Sequence, residues 1–72
     1  MVYKDPAMTP RLIEELYRLN LSDTELANTL HCSQTTIKQW ISGHTVPYAF
    51  YLAKLHYLGC DVIYILTGDR HV

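Results

Sequence analysis

Apolar side chains recur along this chain at helical spacing, and capping and stop residues divide them into five runs. From Thr9 to Asn20 the apolar positions are Leu12, Ile13, Leu16, Tyr17 and Leu19, which share one side of a helix. Thr9-Pro10 reads as the start of that helix: a hydroxyl N-cap, then proline at the first helical position, where a missing N–H costs nothing. Ser22-Asp23-Thr24-Glu25 has the spacing of a capping box, so a second helix is expected to about Leu30, with Leu26, Ala27 and Leu30 inward. His31-Cys32-Ser33 interrupts the pattern, and Ser33 can cap a third helix from Gln34 to about Ser42, stopped by Gly43. Its expected core face is Ile37, Trp40 and Ile41, opposite Gln34, Thr35, Lys38 and Gln39. Pro47 is expected to open a fourth helix, Tyr48 to Leu58, ended by Gly59. Asp61 caps a fifth, Val62 to Thr67, ended by Gly68. The β-prone run Val62-Ile63-Tyr64-Ile65 does not alternate, so the fold class is read as all-α.

Seventy-two residues are expected to form a single domain, residues 1–72. Half of them are apolar, which suits a folded chain. No apolar run reaches the roughly 18 residues a membrane span needs. Met1-Val2-Tyr3-Lys4-Asp5-Pro6 lacks the layout of a secretory signal, and Cys32 and Cys60 are too few for a disulfide scaffold. A cytoplasmic protein with reduced thiols is therefore expected, its two cysteines serving in packing.

The net charge of −1 does not advertise a polyanionic partner, but its distribution permits one. Residues 1–25 carry three basic and five acidic side chains, and residues 61–72 one basic and two acidic. From Leu26 to Cys60 there is no Asp or Glu, only Lys38, Lys54, His31, His44 and His56. The middle of the chain can approach phosphate without repulsion.

That middle also carries the candidate chemistry. Two short helices joined by a tight turn, at about residues 22–43, have the layout of a helix-turn-helix. Such a pair needs a small residue midway along the first helix and a β-branched anchor in the second; Ala27 and Ile37 stand there. Gln34, Thr35, Thr36 and Gln39, with Lys38 beside them, are side chains that can read base edges. Taken alone, the same residues also suit a solvated helix face.

The chain resembles the Cro- and repressor-type, or XRE-like, helix-turn-helix family of phage and bacterial regulators. The matching stretches are Leu21-Ser22-Asp23-Thr24-Glu25-Leu26-Ala27, then Ser33-Gln34-Thr35-Thr36-Ile37 through Trp40 to Gly43, then Leu58-Gly59-Cys60-Asp61-Val62-Ile63-Tyr64-Ile65-Leu66-Thr67-Gly68. Together they cover roughly residues 10 to 68. The resemblance implies a compact five-helix lambda-repressor-like domain whose third helix enters the major groove of a double-stranded DNA operator. It assigns base reading to Gln34 and Thr35, extended by Lys38 and Gln39, with Ser33 and Thr36 in the same turn. Ser42, His44 and Thr45 would approach the backbone. Two departures stand out: His31 occupies a turn position usually held by glycine, so a left-handed backbone is expected there. Asp23 stands where relatives place a neutral phosphate-facing residue.

A single recognition helix spans few base pairs, so a homodimer on a palindromic site is expected. Only four residues follow Gly68, which points to segment 57–72 as the interface, with Tyr57, Ile63 and Tyr64 as contacts. No cofactor, metal, small-molecule substrate or catalytic set is expected: His56 with Cys60 and His31 with Cys32 match no finger or ribbon spacing, and there is no paired carboxylate or nucleophile–base set. The alternative is a protein–protein interaction module on the same fold, such as an antitoxin or a phage-encoded inhibitor.

Overall fold

The structure, a computed structural model, describes residues 7–70. The N-terminal stretch Met1–Pro6 and the last two residues of the 57–72 segment lie outside the described residues. Five α-helices and no strand are found among the described residues: α1 Met8–Arg18, α2 Asp23–Leu30, α3 Gln34–Ile41, α4 Ala49–Leu58 and α5 Val62–Thr67. The chain is all-α, and no helix among these residues is long and apolar enough to cross a membrane.

Local chemistry accounts for most helix ends. Ser22 accepts the Glu25 N–H while the Glu25 carboxylate accepts the Ser22 N–H, a complete capping box. That second bond also holds the Glu25 carboxyl below its usual range. Ser33 accepts the Thr36 N–H at the start of α3, and Asp61 accepts the Tyr64 N–H at the start of α5. At the C-terminal ends Gly59 and Gly68 take left-handed backbone. His31 does the same without glycine's freedom, at φ 58° and ψ 47°.

Two helix starts differ from the sequence reading. α1 begins at Met8 with Ala7 as its N-cap, and no side chain caps it. Pro10 therefore occupies the third helical position, which is tolerated because that N–H has no partner within the helix. Thr9 instead faces Gly43, its Oγ1 3.5 Å from where a Cβ on that glycine would stand. Pro47 is buried and precedes α4; extended Tyr48 is the N-cap, and its carbonyl accepts the Tyr51 and Leu52 N–H groups. α1 also stops at Arg18, with Asn20 left-handed at φ 56°, two residues short of the expected end.

The helices pack around Leu12, Leu16, Leu26, Ala27, Leu30, Ile37, Trp40, Leu55, Cys60 and Ile65. Ala27 of α2 and Ile37 of α3 are both buried in this core, where the two helices pack together, and Trp40 packs edge-on against Tyr51 of α4. Ile41, expected in the core, is 40% exposed. It sits at the open edge between α1, α2 and α3, on the rim of a shallow depression that also involves Ile13, Tyr17, Leu21 and Asp23. Tyr17 is likewise exposed, so the helical stripe on α1 is wider than the surface its neighbours cover.

α1 and α5 are joined by a polar clasp. Glu15 is fully buried, and its carboxylate accepts from Arg18 (2.7 and 3.0 Å), Arg70 (2.9 Å) and the Asp61 N–H (2.7 Å). The Arg18 guanidinium is the main reason its pKa falls to about 2, against a desolvation penalty acting the other way. Arg70 also lies over the Tyr64 ring and bonds Glu14, which in turn accepts from the Tyr64 hydroxyl. Arg11 donates to the Ile65 and Leu66 carbonyls at the end of α5.

Candidate nucleic-acid interface

The candidate surface is built on α2, α3 and the three residues between them. α2 and α3 are eight residues each, and the turn is His31-Cys32-Ser33. The left-handed His31 reverses the chain, and the Cys32 N–H bonds the Ala27 carbonyl, which also accepts from the His31 N–H at the end of α2. Lys54 donates to the Leu30 carbonyl at 3.1 Å, tying the same end to α4. Cys32 packs against the core, and burial pushes its thiol up. Buried Cys60 is pushed up to about 11, again by burial first, so both cysteines are packing thiols.

With Ile37 and Trp40 buried, α3 turns Gln34, Thr35, Lys38 and Gln39 outward, all exposed. The remaining expected residues divide by what holds them. Ser33 and Thr36 face each other, hydroxyl to hydroxyl at 3.0 Å, and Thr36 is half-buried, so this pair builds the start of α3. The Ser42 hydroxyl donates to the Gln39 carbonyl, and the His44 and Thr45 N–H groups bond the same oxygen. These three residues are exposed along the loop leaving α3. One polar partner escaped the sequence reading: the Gln34 amide donates to the Thr24 hydroxyl on α2 at 3.0 Å. Its signal in the sequence, a threonine inside the capping box ten residues before the glutamine, carries no mark of the contact.

Charge is sparse on this surface. Lys38 is its cation, while Asp23 and Glu25 lie in the first turn of α2, a position that favours carboxylates. Arg11, Arg18 and Arg70 all serve the α1–α5 side, bonding Ile65 and Leu66, Glu15 and Gly59, and Glu14 and Glu15 respectively. Among the described residues no cluster of three His, Cys, Asp or Glu side chains could hold a metal ion.

The expected dimer contacts lie elsewhere, at α4 and α5. Tyr57 is 87% exposed and Ile63 45%. Tyr64 is partly covered and held by Glu14 and Arg70 in its own chain. α4 is apolar over most of its circumference, yet of its residues Leu55 alone is buried. Its outer side and α5 border an open groove of about 1040 Å³, lined by Leu52, Ala53, Tyr57, Val62, Ile63 and Leu66 among others. A scan against family models and searches of curated proteins and of solved structures each returned no match.

Proposed function

We propose that this chain is a sequence-specific DNA-binding regulator of the Cro or repressor type, with a lambda-repressor-like helix-turn-helix formed by α2 and α3. The observation that carries the reading is the α2–α3 unit itself. Two capped eight-residue helices meet across a three-residue turn opened by left-handed His31, Ala27 and Ile37 are buried on the two helices, and the outer face of α3 carries Gln34, Thr35 and Gln39 with Lys38. A polar helix face seated on a rigid core suits base reading, because its side chains are presented from fixed backbone positions.

In this reading α3 lies in the major groove. Gln34 pairs with adenine, the Thr35 methyl meets a thymine methyl, and Lys38 reaches a guanine or a phosphate. Gln39 extends the contact, while Ser42, His44 and Thr45 run along the backbone. Two copies associate through α4 and α5 by Tyr57 and Ile63 with Leu66, and place their recognition helices on half-sites about 34 Å apart. Occupancy of the operator then regulates transcription in the cytoplasm of a bacterial host, without enzymatic chemistry. With Lys38 as the cation on the reading face and the arginines engaged elsewhere, non-specific binding is weak and the salt dependence shallow.

Selection from a random duplex library, followed by titration of the winner at two salt concentrations, tests the proposal. An enriched palindrome that outlasts random DNA as salt rises is expected; no enrichment by folded protein overturns it. One observation favours a second reading, a protein-binding module: the arginines support the fold, and an open, largely apolar groove lies along α4 and α5. That reading predicts a stable complex with a protein partner that survives loss of the α3 polar face.

A further inference from the structure

The groove bordered by α4 and α5 has two chemically different parts. Ala49, Leu52, Ala53, Tyr57, Ile63 and Leu66 give it an apolar wall, and its volume of about 1040 Å³ is that of a small-molecule site. Along α4 that wall runs from Ala49 to Tyr57, about 12 Å at the helical rise per residue. Arg18 and Arg70 line the same groove, and because both bond the Glu15 carboxylate their guanidinium groups lie together. Glu15 itself is fully buried and is not part of the lining. The charged side chains that do line it are the two half-exposed arginines and Asp61, which is mostly covered and accepts the Tyr64 N–H. Two positive charges against one negative leave the groove net positive, and His56, also in the lining, can only add to that. Among the described residues Arg18 Nη1 and Arg70 Nε have no hydrogen-bond partner.

We infer that this groove is a binding site for a small amphipathic carboxylate, with its apolar body along α4 and α5 and its carboxylate on Arg18 and Arg70. The apolar wall stands in water, and covering it is favourable. Guanidinium N–H groups match carboxylate oxygens in direction and charge, and here Glu15 already holds both arginines in place. A single negative charge balances the lining. An alcohol with the same body forgoes the charge-assisted bond. Tyr57, Ile63 and Leu66 are also contacts of the dimer proposed above, so ligand and second copy exclude one another and the ligand draws the chain toward monomer. The site itself does not rest on the DNA reading.

The experiment titrates the full chain, without DNA, with decanoate and with decanol, read by calorimetry and by amide chemical shifts. Decanoate is expected to saturate one site, to shift resonances of α4, α5 and Arg18, and to bind at least about tenfold more tightly than decanol, the worth of one charge-assisted hydrogen bond. Ala53→Trp, which fills the groove from an exposed position, is expected to abolish binding of both. Arg70→Gln is expected to bring the two ligands within about threefold of each other, with circular dichroism showing both variants folded. Ala53→Trp leaves the clasp alone and decides the matter if Arg70→Gln does not fold. Equal affinity for decanoate and decanol overturns the inference, as does binding that Ala53→Trp leaves intact. Absence of binding by folded protein overturns it too; groove resonances that shift on dilution would then mark an interface between copies only. None of these outcomes depends on whether an operator is found.

Discussion

Glu15→Gln removes the charge from a fully buried carboxylate that meets two guanidinium groups and a backbone N–H. The cost can be bounded by its titration. A carboxyl drawn down from 4.5 to about 2 is stabilised in the folded state by about 3 kcal/mol relative to an unfolded chain. Arg18 and Arg70 are 53% and 41% exposed and regain water when the carboxylate is gone, so the loss should not exceed that figure by much. For a domain of this size about 3 kcal/mol is a large share of the total, and corresponds to a fall in Tm of roughly 12–24 °C. The sign with pH follows from the depressed pKa. Between about pH 5 and pH 2 the unfolded chain takes up a proton that the folded one refuses. The stabilisation is therefore complete above that window and is lost as pH falls through it. Urea unfolding followed by circular dichroism at pH 7 and again near pH 2.5 measures both quantities. The gap between wild type and Glu15→Gln should be about 3 kcal/mol at pH 7 and should shrink to about a quarter of that at pH 2.5. A gap under about 1 kcal/mol at neutral pH, or one unchanged by acid, would refute the account of the clasp.

Three further outcomes are expected. At position 31, where the backbone is left-handed, stability should rank Gly above His above Val, with His31→Gly gaining up to about 1 kcal/mol and the β-branched residue losing more; thermal melts check the order. The double change Gln34→Ala, Lys38→Ala should lower operator affinity by at least about 100-fold in a gel-shift titration while leaving the melt within a few degrees, since both side chains are exposed. Tyr57→Lys should convert a dimer to a monomer in sedimentation at micromolar concentration with little effect on folding, because the tyrosine is 87% exposed; a wild-type chain that is monomeric with and without DNA would rule out the dimer.

What could be read from the sequence was what short-range chemistry decides. The capping box at Ser22 and Glu25, the caps Ser33 and Asp61, and the stops Gly59 and Gly68 act within four residues of themselves, and all were placed correctly. Ala27 and Ile37 were legible because an apolar period implies a buried face. Coverage was not legible, because the period cannot say which neighbour lies over the stripe. Ile41 and Tyr17 belong to the right faces of their helices and still remain exposed. The Glu15 clasp was invisible for a different reason. A glutamate followed by Arg18 reads as an ordinary surface pair, and its other partners, Asp61 and Arg70, lie 46 and 55 residues away. Of the candidate site, Gln34, Thr35, Lys38 and Gln39 are presented outward, whereas Thr36 is turned to its cap and the bond from Gln34 to Thr24 has no mark in the sequence, because it joins two helices.

The same clasp has a kinetic side. Its bonds to Asp61 and Arg70 close most of the chain into a loop, and the entropy cost of closure predicts that such contacts form after the local packing of α2 on α3. Interactions absent from the folding transition state act on the unfolding rate. Arg70→Ala should accordingly leave refolding nearly unchanged and steepen the loss of native protein with time, a difference stopped-flow denaturant jumps resolve. The far end of the chain then governs how long the native state lasts rather than how fast it is reached.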